Sequence, residues 1–172
     1  ERGFDVGGDT GVQVLDLIKE AESKGFAYEA AEASVALLFR RKKANYKPPF
    51  VVLDYQVTAG RHRTHEENAE ATVKVRVGED MIHTAAEGNG PVSALDRALR
   101  KALEPKFPAL KKMHLLDYKV RILDGRAGTD AITRVLLDSS SGDRLWSTVG
   151  ASTNIVVSSM QALVDSVEYF LE

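Results

Sequence analysis

Five residues recur almost unchanged in this chain: Leu53–Val57 reads LDYQV, and Leu116–Val120 reads LDYKV. The surroundings of each copy decide whether this is chance. EATVKV at Glu70–Val75 parallels DAITRV at Asp130–Val135, GED at 78–80 parallels GDR at 142–144, and the loop at Gly88 parallels the loop at Gly150. Four landmarks return in one order at offsets of 63, 60, 64 and 62 residues, so only the turn lengths differ. A duplicated chain must fold as two copies of one unit, each of about sixty residues, and each copy must bury its apolar face on something.

The grammar of the unit is three strands and a helix. Leu53, Tyr55 and Val57 alternate with Asp54, Gln56 and Thr58, and Ala71, Val73, Val75 and Val77 alternate with Thr72, Lys74 and Arg76. That period belongs to strands with one wet and one buried face. MIHTAAE supplies a short third strand after the GED turn. GNGP breaks it, Pro91 sits well as a first helical residue, and Val92, Leu95, Leu99 and Leu103 share a helix face that ends before Pro105. The second unit repeats this. Leu116, Tyr118, Val120 and Ile122 alternate with charged neighbours, DAITRVLLD and RLWSTV are strands around an SSSGD turn, and GASTN is a loop. A last helix from about residue 154 to 171 carries Val156, Met160, Leu163, Val167 and Phe170 on one face.

Ahead of the duplication the period is helical. Residues 1–11 are glycine-rich and expected to be loose. VQVLDLIKEAESKG is a helix stopped by Gly25, and a second helix covers about 27–43, with Glu29 and Glu32 early and the basic run Arg40–Lys43 late, as the helix dipole favours. Pro48 and Pro49 close it. The reading is an α+β fold: a helical linker subdomain at 1–46, then a domain at 47–172 built from two pseudo-symmetric βββα units at 50–104 and 115–171. The two units are expected to pack on each other or on a second chain.

Composition narrows the function. With 44% hydrophobic and 28% charged residues and a net charge of −2, the chain has no long basic run of the kind a nucleic-acid partner needs. No apolar stretch reaches the length of a membrane span. Absence of cysteine excludes disulfides and thiolate chemistry and fits a reducing, cytoplasmic setting. The chain opens at Glu1 without a methionine, which reads as a fragment of something longer.

No nucleophile elbow, P-loop or dinucleotide fingerprint is present. GNG at 88–90 lacks the lysine of a phosphate cradle. HRTHEE at His62–Glu67 reads better as a solvated polar loop than as a metal site, and His83 and His114 stand alone. Asp54 and Asp117 occupy matching places on their strands, where surface ion pairing and a functional role are both open. The two strand-to-helix junctions, AEGNGPV and VGASTNI, hold small residues just before a helix. One reading is mechanical: tight turns need glycine, and Asn154 is an N-cap. The other is chemical: small residues admit a ligand to the backbone, and helix N-termini favour a carboxylate or phosphate, so two such ends could converge on one small anion.

Beyond these patterns, the chain carries a family resemblance. The segment IHTAAEGNGPVSALDRALRKALEPKFPALKKMHLLDYKVRILDGRAGTDAITRVLLDSSSG, the closing WSTVGASTNIVVSSMQALVDSVEYFL and the linker GFAYEAAEASVALLFRR resemble the C-terminal regulatory region of the citramalate synthase and 2-isopropylmalate synthase family. The AEASVALLFRR linker favours the citramalate-synthase branch. The resemblance implies a homodimeric parent enzyme that condenses acetyl-CoA with an α-keto acid, pyruvate in the citramalate branch, on a divalent-metal TIM barrel. The barrel's R-D-G and H-x-H motifs do not occur here, so no catalysis and no cofactor are expected in this chain itself. It implies a domain that binds the pathway's end-product amino acid, isoleucine or leucine, between the repeats near the dimer interface, and so inhibits the barrel. Carried over by motif, the effector-binding candidates are Asn89, Gly90, Pro91 and Ala94 at the first junction, Gly150, Ala151, Asn154 and Ile155 at the second, and Asp117 and Tyr118 on the LDYKV strand. Two other readings stay open: a dimerisation module without an effector, and an enzyme of unrecognised type, against which the missing nucleophile and metal motifs speak.

Overall fold

The computed structural model describes residues 8–61, 67–123 and 125–172. Helix α1 (Gly8–Ser23) and a 3-10 turn at Tyr28–Ala30 lead into α2 (Glu32–Arg41). The first unit is β1 (Val51–Arg61), β2 (Glu67–Val77), β3 (Asp80–Gly88) and α3 (Pro91–Leu103). A second 3-10 segment, Pro108–Lys112, connects it to β4 (His114–Ile122), β5 (Thr133–Ser141), β6 (Arg144–Ser152) and α4 (Ile155–Leu171). Each unit is an antiparallel meander, ordered β1-β2-β3 and β4-β5-β6. The α+β duplication expected from the recurring landmarks is the architecture observed.

Several boundaries differ from expectation. Gly8 and Gly11 lie in α1 rather than in a loose segment. The expected helix at 27–43 is broken: Ala31 leaves helical geometry, so a 3-10 turn precedes a ten-residue α2. Ser139–Ser141 belong to β5, because the turn there is the two-residue Gly142-Asp143 hairpin with Gly142 at φ 58°. Gly150–Ser152, expected as loop, are the end of β6 and pair with Thr133–Val135. The HRTHEE motif falls almost wholly outside the described residues.

The duplication reaches details that no periodicity carries. Both LDYxV copies contain a β-bulge at the leucine: register slips between Val52 and Asp54, and again between Leu115 and Asp117. A bulge re-aims the side chains beside it. Thr84 Oγ1 donates to the Ala98 carbonyl at 2.8 Å, and Thr148 Oγ1 donates to the Ala162 carbonyl at 2.8 Å, each tying a third strand to its helix. Glycine seats each helix. A Cβ on Gly88 would stand 2.5 Å from the Ala94 nitrogen, and one on Gly150 would overlap the Ser158 carbonyl oxygen.

Helix α3 buries Leu95, Leu99 and Leu103 completely against β2 and β3, a contribution of about 1.5–3 kcal/mol for each side chain. Helix α4 does the same with Leu163 and Val167 over β5 and β6. The two helices meet, so one apolar cluster runs from Val73 and Leu99 through Leu110 and Met113 to Trp146 and Leu163. Trp146 donates from Nε1 to Ser166 Oγ at 2.8 Å, and Ser166 shares a 2.6 Å hydrogen bond with the buried Ser139.

The halves differ at their first strands. On β1, Tyr55 and Val57 pack against the shared core. On β4, Leu116, Tyr118, Val120 and Ile122 remain 37–62% exposed, because α4 lies over β5 and β6 and leaves this edge uncovered. The linker also breaks the symmetry. The Ser147 N–H donates to Glu32 Oε1 and the Val149 N–H to Ser34 Oγ, both at 3.1 Å, while the Ala151 N–H donates to Gln161 Oε1 at 3.0 Å. Alternate donors along the free edge of β6 are thereby satisfied, which blunts that edge against strand addition.

Gly150→Ala forces the helix off its sheet and should cost about 3 kcal/mol. Gly142→Ala, in open space at positive φ, should cost about 1 kcal/mol. Urea denaturation of both variants checks the order.

Candidate ligand sites

The first junction is open. Gly90 caps α3 with extended backbone (φ −177°), and among the described residues no side chain bonds the helix end. Pro91 has no N–H to offer, and the Val92 and Ser93 donors of the first turn have no side-chain cap among the described residues. Asn89, Gly90 and Pro91 line a cavity of about 400 Å3 with Ala59, Gly60, Asn68 and Ala69 of the β1–β2 hairpin. A Cβ placed on Gly90 would meet nothing within 4 Å, and Ala94 lies fully buried beneath the junction.

The second junction is closed. Asn154 Oδ1 accepts from the Val156 N–H at 2.9 Å, as an N-cap does. Gly150 is filled from the far side by the α4 backbone, and Ala151 is buried with its N–H held by Gln161. Ile155 is 47% exposed. Tyr118 reaches this junction from β4: its hydroxyl shares a 2.8 Å hydrogen bond with Ser159 Oγ, which donates to the Ile155 carbonyl at 2.6 Å. Asp117 accepts from Lys119 at 2.9 Å and from the Tyr118 N–H at 2.8 Å, and Lys119 holds its carboxyl below the usual range. Tyr118 and Ile155 are thus joined through Ser159, whereas Asn89, Gly90 and Pro91 line a separate cavity.

A second cavity, of about 530 Å3, was not visible in the sequence pattern. It opens where α2, β1 and α4 converge. Leu53, Asp54 and Tyr55 of the first LDYxV copy form one wall, and Val157, Met160 and Val164 of α4 form another. Phe26, Tyr28, Ser34 and Leu38 of the linker close it, with Arg41 and Asp165 at one end. Burial, then the nearby Asp165 charge, pushes the Tyr28 phenol up to about 12, and burial raises Tyr55 as well. Both remain hydroxyl donors at neutral pH.

An ion cluster fastens this end. Arg41 meets Glu168 with two hydrogen bonds, Nε to Oε1 at 2.9 Å and Nη2 to Oε2 at 2.7 Å, and Nη2 also meets Asp165 Oδ1 at 2.7 Å. Tyr46 donates to Glu168 at 2.5 Å and Ser34 to Asp165 at 2.7 Å. Glu168 is 3% exposed. Burial raises the Asp165 carboxyl, opposed by Arg41 and Ser34. The sequence signal for this cluster was two acids, Asp165 and Glu168, in a helix with no other charged residue.

The LeuA allosteric (dimerisation) domain family matches residues 29–171. Among similar proteins, the (R)-citramalate synthase of Geobacter sulfurreducens is 50% identical over 161 residues, covering 93% of this chain and 30% of that protein. The (R)-citramalate synthase of Synechocystis is 52% identical over 163 residues, covering 92% of this chain and 30% of its own length. A 2-isopropylmalate synthase of Pseudoalteromonas atlantica is 32% identical over 151 residues, 86% of this chain and 26% of that protein. The chain spans less than a third of these curated relatives.

Arg41→Met strands Glu168 and Asp165 without their cation. Breaking a buried pair costs about 3–5 kcal/mol, and the 35% exposure of Arg41 brings the expected loss to about 2 kcal/mol. Thermal and urea unfolding measure it.

Proposed function

The chain belongs to the LeuA allosteric (dimerisation) domain family, and from that premise we propose that it is the effector-binding region of a citramalate-synthase-like enzyme. This membership bears out the resemblance drawn from the GNGPVSALD and VGASTNI segments. In the proposal the parent protein forms a carbon–carbon bond between acetyl-CoA and pyruvate on a divalent-metal barrel in the cytoplasm. This region takes up the end-product branched-chain amino acid, isoleucine, and restrains the barrel by feedback.

The observation that carries the reading is the match across residues 29–171, with identities of 50–52% to the two citramalate synthases against 32% to the 2-isopropylmalate synthase. The geometry supports it. The start of α3 offers the Val92 and Ser93 N–H donors to a carboxylate seated in the cavity beside Asn89, Gly90 and Pro91. Asp117 and Tyr118, with Ile155 at the second junction, would serve the ammonium and the branched tail from the facing edge of a second copy. The uncovered apolar row of β4 favours such a copy. That same row favours a second reading, a dimerisation module that binds no effector.

Inhibition requires that the effector bind one state of the dimer more tightly than another. The linker helices are the lever in this proposal, since α2 is held to α4 by the Arg41 cluster.

Sedimentation should show a dimer. Titration calorimetry of this chain with isoleucine, leucine and valine should give binding, tightest for isoleucine. A folded dimer that gives no heat with any of the three refutes the effector reading and leaves the dimerisation module. Tyr118→Ala should weaken isoleucine binding about tenfold, roughly 1.4 kcal/mol.

A further inference from the structure

The duplicated LDYxV motif faces different surroundings in its two copies. The β4 copy lies on an uncovered edge, with Asp117 paired to Lys119. The β1 copy forms a wall of the 530 Å3 cavity under α2 and α4, and Asp54 makes no hydrogen bond or ion pair among the described residues. The bulge at Leu53 places Leu53, Asp54 and Tyr55 together on the cavity wall, where a regular strand would send alternate residues to opposite faces.

The lining has a definite chemical bias. Three aromatic rings, Phe26, Tyr28 and Tyr55, border the space, and Phe26 and Tyr28 stack at 5.7 Å. Aromatic faces attract cations. Of the charged lining residues, Asp54 and Asp165 are acidic and Arg41 is basic, with no lysine present. The Arg41 guanidinium is already shared between Asp165 and the neighbouring Glu168, two carboxylates to its one positive charge. The charged lining thus holds two acids and one base, and the cross-strand neighbour of Asp54 is Lys74. The rest of the lining is aliphatic or thioether: Leu38, Leu53, Val157, Met160 and Val164.

We propose that the cavity between α2, β1 and α4 is a second small-molecule site, distinct from the helix junctions, that takes a compact apolar ligand carrying one ammonium group. The ammonium pairs with Asp54 beside the aromatic faces, and the apolar body lies along Leu53, Met160 and Val164. A ligand seated there touches α2, β1 and α4 at once, so it bridges the linker and both units. This assignment does not depend on the junctions binding an amino acid.

The test uses this chain and three probes of one shape: 2-phenylethylamine, neutral 2-phenylethanol and anionic 3-phenylpropanoate. Calorimetry should show the amine binding at least tenfold more tightly than the alcohol, and the carboxylate not at all. Asp54→Asn should weaken the amine at least tenfold and leave the alcohol unchanged, with an unaltered melting temperature, since Asp54 is exposed and makes no hydrogen bond or ion pair among the described residues. Equal binding of amine and alcohol, no binding of either to the folded chain, or an Asp54→Asn variant with undiminished amine affinity overturns the proposal. Amine binding that depends on Asp54 while isoleucine gives no heat supports this site and removes only the effector reading.

Discussion

The seat of each helix on its own sheet governs the rest of the structure. At Gly88 and Gly150 the helix backbone comes so close that no side chain fits between, and Thr84 and Thr148 hydrogen-bond across the same seam. This close approach lets the leucines of α3 and the apolar face of α4 reach their sheets. It also sets the two helices where they meet, so that two small meanders share one core. A three-stranded sheet with one helix has little interior of its own, and joining the cores supplies what each half lacks.

From that shared frame the halves diverge. The second unit receives α2, whose side chains satisfy the free edge of β6 and whose Arg41 enters the cluster with Asp165 and Glu168. Such a cluster adds less to net stability than its number of bonds implies, because its charges lose water. Its effect is orientation: the guanidinium fork and the Tyr46 and Ser34 hydroxyls fit one placement of α2 on α4. The same docking turns the first LDYxV strand into a cavity wall, whereas the second stays at an open apolar edge. One motif thus occupies two chemical environments.

Much of this was legible in the residues. Strand alternation, the Pro91 and Gly25 punctuation and the four recurring landmarks located each strand and helix to within a few residues, because these signals are local and repeat. Misplaced boundaries share a cause. Ser139–Ser141 and Gly150–Ser152 are all small residues, so they read as turn, but ladder pairing with Arg144–Trp146 and Thr133–Val135 holds them as strand. The candidate junction residues were readable as positions, but the difference between them was not. Gly90 opens on a cavity, while Gly150 is glycine because the α4 backbone occupies the place of its side chain.

The sequence by itself determined the duplication, the order of elements and the apolar faces, since each depends on spacing along the chain, and it carried the family resemblance in whole segments. Only the tertiary structure decided which first strand is covered, how the linker docks and where the cavity under α2 and α4 lies. Those outcomes depend on partners such as Arg41 and Glu168, 127 residues apart. Periodicity says which face of a helix is apolar, but not which distant charged group will meet the few acids that interrupt it.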